Sequence, residues 1–301
     1  MEKQEKSAKK HSDFCLTMLI SIGFVIVKKL ISSAFPEPAD QYLADSVVRV
    51  IFGVLALVLL VKCFDRAFCP RTIHGRNIGA AVLAGATEIV SIGILAVILF
   101  TYTTEADWQE FRAVPGKLLF ARLIAQQLTT GFFEEVTYRG LLLEGYFQSS
   151  EKTVSARLLY GLLSFFVFGA LHIIGGGGLE RFIFTGIFGL SMAAVYLHSG
   201  NLLMPMVLHF LHDLLAHTCN MFTYEGTNLQ SLVLGGTRIV IILAVLAVVW
   251  AVVFLILPPL QQIGQRQCQK KIYNRQITSG RFAGTGRSFA ISLLYTTTQS
   301  S

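Results

Sequence analysis

The sequence predicts an all-α membrane protein, a polytopic bundle of about eight transmembrane helices. Of its 301 residues, 53% are hydrophobic and only 14% are charged, and the mean hydropathy is +0.60. A soluble domain carries about 25% charged residues, so this composition belongs to the membrane class. Several apolar runs approach or exceed the roughly 20 residues that a helix needs to cross a bilayer. They lie at 14–35, 46–64, 78–102, 118–147, 156–174, 181–198, 202–220 and 232–257.

The first and fourth runs depart from this simple pattern. The first has only residues 14–27 as an uninterrupted apolar stretch, and it follows a basic region, as in a signal peptide. Because Lys28 and Lys29 interrupt it before the small residues 32–34, we expect a retained first helix and not a cleaved peptide. The fourth run is longer than a bilayer requires, so we expect it to be tilted or broken.

Basic residues predict the orientation of the bundle. Sixteen Lys and Arg residues outside the spans or at their ends fall on the side of the two termini, and six fall on the other side. By the positive-inside rule both termini are expected in the cytoplasm, which also agrees with an even number of helices. The formal net charge of +7 therefore reflects topology, and no nucleic-acid partner is expected.

The predicted organisation is one membrane domain between two tails. Residues 1–13 form a basic cytoplasmic N-terminal tail, 14–260 the membrane domain, and 261–301 a mobile cytoplasmic extension. We find no internal repeat of fixed period. A transporter that couples ions through Glu134 and Glu88 is one function class to consider, but it lacks an obvious inverted repeat.

Two adjacent carboxylates, Glu134 and Glu135, lie inside the apolar fourth run. Ionisable groups at that depth cost about 2.5–3.5 kcal/mol each and usually face a protein interior. Neighbours on a helix point about 100° apart, so the two carboxylates face different ways. Glu135 and Arg139 are at i, i+4, in the order that favours an ion pair. Glu134 then lacks that partner and suits a general base or acid. The alternative is a buried structural cluster of all three residues.

Two later runs supply polar partners. Phe168 and His172 share one helical face, just before a run of four glycines. A lone histidine at a helix end is more often interfacial than catalytic. His209 and Asp213 are again at i, i+4, and both groups need buried partners in lipid. His212, at i+3 from His209, is a second candidate on that helix.

Other polar residues within the spans have less specific expectations. Glu88 in the third run is expected to be structural, paired with Arg122 or Arg238, or to support the site. Four polar residues that precede the glutamates are candidates for lining a wet cavity: Gln126, Gln127, Thr129 and Thr130.

The three polar stretches together resemble the motifs of a known family. The chain reads Glu134-Glu135-Val136-Thr137-Tyr138-Arg139, then Phe168 to His172, then His209 to Asp213. The CAAX-protease and bacteriocin-processing (CPBP) family of intramembrane glutamic endopeptidases has EExxxR, FxxxH and HxxxN or HxxxD in that order on separate helices. Each motif alone is weak, but three in order, 38 and 37 residues apart, are specific. The resemblance covers roughly residues 115–220, the motif-bearing core of the membrane domain.

The resemblance implies a role for each matching residue. Glu134 would be the general base, and His172 would help to hold and polarise the attacking water. His209 and residue 213 would stabilise the oxyanion. Structural support would come from Glu135, Arg139 and Phe168. Position 213 is Asp where the family often has Asn, and an ionised Asp donates no hydrogen bond. Asp213 is therefore either protonated or orients His209, and we favour the second.

A zinc site is the minority alternative. Glu134, His172 and His209 would make the two-histidine, one-glutamate set that catalytic zinc sites use. The sequence has no HExxH helix, and the resemblance implies a mechanism with no metal or other cofactor.

The expected depths of the two histidines disagree. Counted from the predicted helix ends, His172 lies near the outer end of the fifth run, and His209 lies about two turns from the cytoplasmic end of the seventh. Their depths then differ by roughly 10 Å. Either the fifth helix starts later and ends inside the membrane, with the glycine run turning inward, or a predicted boundary is wrong.

The sequence thus predicts a multi-pass intramembrane endopeptidase. It would be a hydrolase that cleaves membrane-associated peptides or proteins with water activated by Glu and His, without a covalent intermediate. The lipid bilayer is its other expected partner, and the compact layout of the motifs favours a bacterial cell membrane. The alternative is a non-proteolytic scaffold or bacteriocin-immunity protein that keeps the motifs as a polar core. Nothing in the sequence selects prenylated C-terminal peptides over leader peptides or other substrates.

Overall fold

The structure is mostly helical, as predicted. It is a computed structural model that describes residues 2–64, 75–144, 153–174, 178–224, 226–229 and 238–257. Residues 1–257 form one compact unit. The tail predicted at 261–301 lies outside the described residues, and the segment predicted as an N-terminal tail begins the first helix.

The glutamates lie in a long helical run in the middle of the chain. The helices before it are α1 (Glu2–Ser32), α2 (Pro38–Phe64), α3 (Gly75–Ala84), α4 (Ala86–Tyr102) and α5 (Glu105–Ala113). The run itself comprises α6 (Gly116–Leu119), the π-helical segment π1 (Phe120–Ala125), α7 (Gln126–Glu134) and the π-helical segment π2 (Glu135–Glu144). After it come α8 (Val154–Ile174), α9 (Leu179–Ser199), α10 (Leu203–Cys219) and α11 (Arg238–Ile256). A small antiparallel hairpin of β1 (Thr223–Tyr224) and β2 (Thr227–Asn228) follows α10.

A helix occupies each predicted apolar run, but the third and fourth runs are not single α-helices. The third bends by 67° between α3 and α4, where Gly85 interrupts the helix. The fourth contains π1 and π2, whose backbone hydrogen bonds reach one residue further than those of an α-helix. Among the described residues, α2, α8 and α9 are long and apolar enough to cross a bilayer, and the α3–α4 pair is a fourth candidate.

Large apolar side chains cover the outside of the bundle, and several ionisable groups of the helices face its interior. Phe100 is 70% exposed and Leu179 is 71% exposed, whereas Glu135 and Arg139 are fully buried. An apolar surface of this extent suits hydrocarbon and would be an association site in water. The arrangement is the one expected of charged residues inside a membrane-spanning bundle.

A short helix, α5, lies in the connection between the third and fourth runs, outside every predicted span. It begins with a capping box, in which the Thr104 hydroxyl accepts a hydrogen bond from the Asp107 backbone N–H. The Asp107 carboxylate accepts one in return from the Thr104 backbone N–H, at 2.6 Å. Hydrogen bonds from Thr104 lower the pKa of the Asp107 carboxyl, so the cap stays intact at neutral pH.

The turn between α9 and α10 is partly buried, with Gly200 exposed. Gly200 adopts a left-handed conformation, with φ of 69°, that ends α9. The Ser199 hydroxyl donates to the Asn201 carbonyl at 3.0 Å, and Asn201 Oδ1 accepts from the Met204 N–H at 3.1 Å. Ser199 and Asn201 are at most 2% exposed. These hydrogen bonds connect the end of α9 to the start of α10, although Asn201 Nδ2 is buried without a hydrogen-bond partner among the described residues.

Helices α8 and α9 pack closely at Gly189. A Cβ atom at this position would lie 2.8 Å from the Phe168 Cβ and 2.8 Å from the Ser164 carbonyl oxygen. The Ser164 hydroxyl donates to the Gly189 carbonyl at 2.7 Å, which ties the two backbones together. Phe168 therefore depends on this glycine for its position.

We expect Gly189→Ala to destabilise the protein by about 1–3 kcal/mol, because the added methyl group meets backbone that has no room to move. Thermal unfolding of the detergent-solubilised protein measures the effect. Gly93→Ala in α4 is the matched control, since a Cβ there meets no atom within 4 Å. That control is expected to be neutral or slightly stabilised, because alanine favours helix over glycine. Equal melting temperatures for the two variants would contradict the close packing.

Candidate active site

The junction of α7 and π2 carries both glutamates and packs against α10. Gly131 allows the close approach, because a Cβ there would lie 3.2 Å from the Met206 carbonyl oxygen and 3.6 Å from the His209 Cβ. One turn later Glu134 ends α7 and Glu135 begins π2. The missing side chain at Gly131 thus brings His209 beside the two carboxylates.

The predicted ion pair between Glu135 and Arg139 is present and fully buried. Arg139 Nη1 lies 3.0 Å from Glu135 Oε1, and neither side chain is exposed. The Arg139 nitrogens make no hydrogen bond within the described part of the chain. The guanidinium instead stacks over the Phe168 ring, with its Cζ 4.3 Å from the ring centroid. The ion pair with Glu135 and the cation–π contact with Phe168 therefore stabilise the buried Arg139 guanidinium.

Glu135 also contacts His209, a contact that the helical-face argument does not predict. Its Oε1 lies 2.8 Å from His209 Nδ1. A carboxylate only accepts hydrogen bonds, so the Nδ1–H donates to Glu135. This bond fixes the orientation of the imidazole and the position of one ring proton. Glu135 is therefore a support for His209 as well as the partner of Arg139.

The other ring nitrogen of His209 faces two more carboxylates. Its Nε2 lies 3.3 Å from Asp213 Oδ2 and 3.8 Å from Glu134 Oε2. The contact with Asp213 is the arrangement expected if Asp213 orients His209. With Glu135 at Nδ1, three carboxylates surround one imidazole.

Glu134 faces a different direction from Glu135, as predicted from their adjacent positions. Its side chain is 18% exposed, whereas that of Glu135 is fully buried. Its Oε2 atom is buried and has no hydrogen-bond partner among the described residues. A buried carboxylate oxygen normally has a partner, so this atom is available to a water or a substrate.

Phe168 connects the two histidines whose predicted depths disagree. The centroid of its ring lies 4.8 Å from that of His172 and 5.9 Å from that of His209. Both imidazoles therefore pack on one phenyl ring. The glycines at 175–177 lie outside the described residues.

Residues of all three motifs thus meet around the Phe168 ring and the His209 imidazole. Residues 116–215 match the family model described as type II CAAX prenyl endopeptidase, Rce1-like. The match confirms the resemblance to the CPBP family. No curated protein and no solved structure matches the chain. The Rce1-like segment begins at α6 and ends within α10, so it contains all three motifs and leaves α1–α5 and α11 outside.

A second acid–imidazole pair lies beside this site and draws on a helix outside the Rce1-like segment. His212 Nδ1 is hydrogen-bonded to Glu88 Oε1, and Glu88 is only 6% exposed. Glu88 is therefore paired with His212 and not, as expected, with Arg122; the side chain of Arg238 lies outside the described residues. The Phe188 ring separates the two pairs, with its centroid 4.7 Å from that of His209 and 5.0 Å from that of His212.

The polar residues before the glutamates bond to their own helix. The Thr129 and Thr130 hydroxyls donate to the Ala125 and Gln126 carbonyls, each at 2.8 Å. Gln127 Nε2 donates to the Arg122 carbonyl at 2.8 Å. Their polar groups thus form local hydrogen bonds at the π1–α7 boundary, where the change of helix type leaves backbone carbonyls without a regular helical partner.

The arrangement of possible metal ligands bears on the zinc alternative. Within the described ranges, no three His, Cys, Asp or Glu side chains are placed to hold one metal ion. Both nitrogens of His209 face carboxylates, and His172 Nδ1 bonds the Phe168 carbonyl at 2.8 Å. These three imidazole nitrogens therefore already have hydrogen-bond or ion-pair partners in the protein.

Proposed function

We propose that this protein is an intramembrane endopeptidase that hydrolyses peptide bonds of membrane-associated peptides or proteins. The observation that carries the proposal is the buried Glu134 Oε2, which has no hydrogen-bond partner in the described structure and lies 3.8 Å from His209 Nε2. That separation exceeds a direct hydrogen bond and suits a bridging water. The Rce1-like match, to a family of proteases, supports the same conclusion.

In the proposed mechanism Glu134 removes a proton from water as the water oxygen attacks the peptide carbonyl. The Phe168 carbonyl accepts a hydrogen bond from His172 Nδ1, so a neutral His172 presents Nε2 as an acceptor for the second water proton. Glu134 then passes its proton to the departing amine. Water supplies both the nucleophile and that proton, so no covalent intermediate forms.

His209 is proposed to stabilise the oxyanion with its Nε2–H. Asp213, 3.3 Å from that nitrogen, and Glu135, on Nδ1, would keep the imidazole in position and favour a proton on each nitrogen. An ionised Asp213 donates no hydrogen bond itself, so its contribution is to orient His209. Developing negative charge on the substrate oxygen strengthens the bond from His209 in the transition state.

The finer membrane topology is part of the same proposal. Helices at each of the eight apolar runs support eight crossings, with α3–α4 as one bent span. The excess of basic residues on one side supports cytoplasmic termini, and the membrane is proposed to be a bacterial cell membrane. The tail at 261–301 is proposed to extend into the cytoplasm.

Incubation of the purified protein with a peptide library in detergent tests the function. We expect peptide cleavage with defined product ends, and we expect the same rate after addition of a metal chelator, because the proposed base and oxyanion donor are protein side chains. Mass spectrometry of the products measures both. Loss of cleavage on chelation, restored by Zn²⁺, would establish the zinc alternative in place of the metal-free mechanism. A folded protein that cleaves no peptide in the library, in detergent or in vesicles, would contradict the endopeptidase proposal.

A further inference from the structure

The second acid–imidazole pair, Glu88 and His212, has no part in the proposed mechanism. Glu88 belongs to α4, outside the Rce1-like segment, and His212 belongs to α10, one turn after His209. Glu88 is buried, and its Oε1 is hydrogen-bonded to His212 Nδ1. A carboxylate at this depth in an apolar bundle is costly and usually serves a function beyond packing.

The bend between α3 and α4 brings Glu88 to α10. A Cβ atom at Gly85 would lie 2.8 Å from Leu208 Cδ1 and 3.1 Å from Val195 Cγ2, so the absent side chain allows the bend to approach α9 and α10 closely. Helix α4 begins at the next residue, and Glu88 lies in its first turn, where a helix favours negative charge. The bend thus holds the Glu88 carboxylate against α10.

The hydrogen bond to Glu88 leaves the other ring nitrogen of His212 free. His212 Nε2 makes no hydrogen bond or ion pair with the described residues, and it is not fully buried. The side chain as a whole is 26% exposed. A neutral imidazole that donates from Nδ1 accepts at Nε2, whereas a protonated one donates there. In either state Glu88 orients the ring and leaves Nε2 available to a ligand.

His212 lies on the same face of α10 as the candidate active site. It is at i+3 from His209, and Phe188 packs on both imidazoles, with centroid distances of 5.0 Å and 4.7 Å. The side chains of Glu134 and Asp213 are 18% and 20% exposed, whereas that of His209 is 3% exposed. Three partly exposed polar side chains, those of Glu134, Asp213 and His212, thus surround the buried His209.

The spacing on α10 suits an extended peptide. Side chains at i and i+3 have their Cβ atoms about 5–6 Å apart, and an extended chain advances about 3.3 Å per residue. A peptide whose scissile carbonyl is at His209 therefore comes level with His212 within about two residues of the scissile bond. Its backbone N–H and C=O groups lose water on entering the bundle and need new hydrogen-bond partners there.

We propose that His212 binds the backbone of the substrate through Nε2, beside the scissile bond, and that Glu88 is the positioning residue that orients His212. The inference rests on the proposed function, because it takes a peptide to be bound at His209. It also makes α4 part of the substrate site, although α4 lies outside the Rce1-like segment.

His212→Asn separates the binding role from the structural one. The asparagine amide lies near the position of Nδ1 and can still donate to Glu88, but it has no atom at the position of Nε2. We expect KM for the best-cleaved library peptide to rise about 3–10-fold, the effect of one lost hydrogen bond. The melting temperature and kcat should change less, because the bond to Glu88 is kept and the lost contact is made equally in substrate and transition state. An unchanged KM would overturn the proposal.

Glu88→Leu tests the positioning role. The imidazole loses the acceptor that orients it, so KM is expected to rise as in His212→Asn. Glu88→Gln keeps an acceptor for the Nδ1–H and is expected to raise KM less. Adding Glu88→Leu to His212→Asn is expected to raise KM no further, because both changes remove the same substrate contact. Independent, multiplicative increases in KM would overturn the role of Glu88.

His198→Leu is the control for an imidazole that joins two helices away from the site. His198 Nε2 lies 2.6 Å from the Phe254 carbonyl oxygen and so links α9 to α11. Its loss is expected to lower the melting temperature and to leave KM unchanged. An equal rise in KM for His198→Leu and His212→Asn would indicate general loosening of the bundle and would overturn the specific contact.

Peptide binding separates this inference from the endopeptidase proposal. Fluorescence anisotropy of labelled library peptides measures Kd for Glu134→Gln with and without His212→Asn. Weaker binding in the double variant would uphold the contact, and if the unmodified protein cleaves nothing, the endopeptidase proposal alone fails. Cleavage by the unmodified protein with the same Kd in both variants would overturn the His212 contact alone. A folded protein that binds none of the peptides would overturn both.

Discussion

Replacing Glu134 with glutamine is expected to lower kcat/KM for peptide cleavage by about 10²–10⁴-fold, the usual contribution of a general base. The amide has nearly the shape of the carboxylate but accepts no proton from water. Glu134 Oε2 makes no hydrogen bond to the described residues, so the substitution removes no hydrogen bond of the described structure. The melting temperature is therefore expected to change little. Activity and melting curves on the same preparation measure both effects.

Glu180→Gln is the control for a carboxylate lost from the Rce1-like segment. Glu180 is exposed at the start of α9, so its replacement is expected to leave cleavage unchanged. The scaffold or immunity alternative makes the opposite prediction for Glu134, because a polar core of unchanged shape keeps its function. Full cleavage by Glu134→Gln would show that another group is the base.

Much of the site could be predicted because helical periodicity relates nearby residues directly. The spacing of Glu135 and Arg139 predicts their ion pair, and the adjacency of Glu134 predicts that it faces elsewhere. The i, i+4 relation likewise predicts the contact of His209 with Asp213. These are contacts within one helical run, so a single geometric rule covers them.

Contacts between distant helices could not be predicted in the same way. Glu135 meets His209, and Glu88 meets His212, only because α4, π2 and α10 pack together. The sequence indicates that each group needs a buried partner, but several ionisable residues in the spans satisfy that requirement. Choosing among them requires the three-dimensional packing.

The departures from regular helix could not be predicted because no simple residue pattern specifies them. A π-helical segment such as π2 inserts an extra residue per turn into an apolar run and leaves its hydrophobic composition unchanged. The burial of residues in the α9–α10 turn could not be predicted either. Ser199 and Asn201 are buried and Gly200 is exposed, which depends on the helices that pack around the turn.

The largest effect on stability is expected from Arg139→Met, which should destabilise the protein by about 3–5 kcal/mol. The change leaves Glu135 fully buried without its ion-pair partner, although His209 still donates to it. Chemical or thermal unfolding in detergent measures the loss. Arg112→Met is the control, because Arg112 pairs with Glu105 on the surface and such exposed pairs contribute little.

The double variant Glu135→Gln, Arg139→Met identifies the cause of that loss. If an uncompensated carboxylate causes it, removal of both charges costs less than removal of Arg139 alone, because the neutral amide still accepts from His209 Nδ1. If the stacking of Arg139 on Phe168 causes it, the double variant is no more stable than Arg139→Met. We expect the first result, since methionine retains apolar contact with the Phe168 ring.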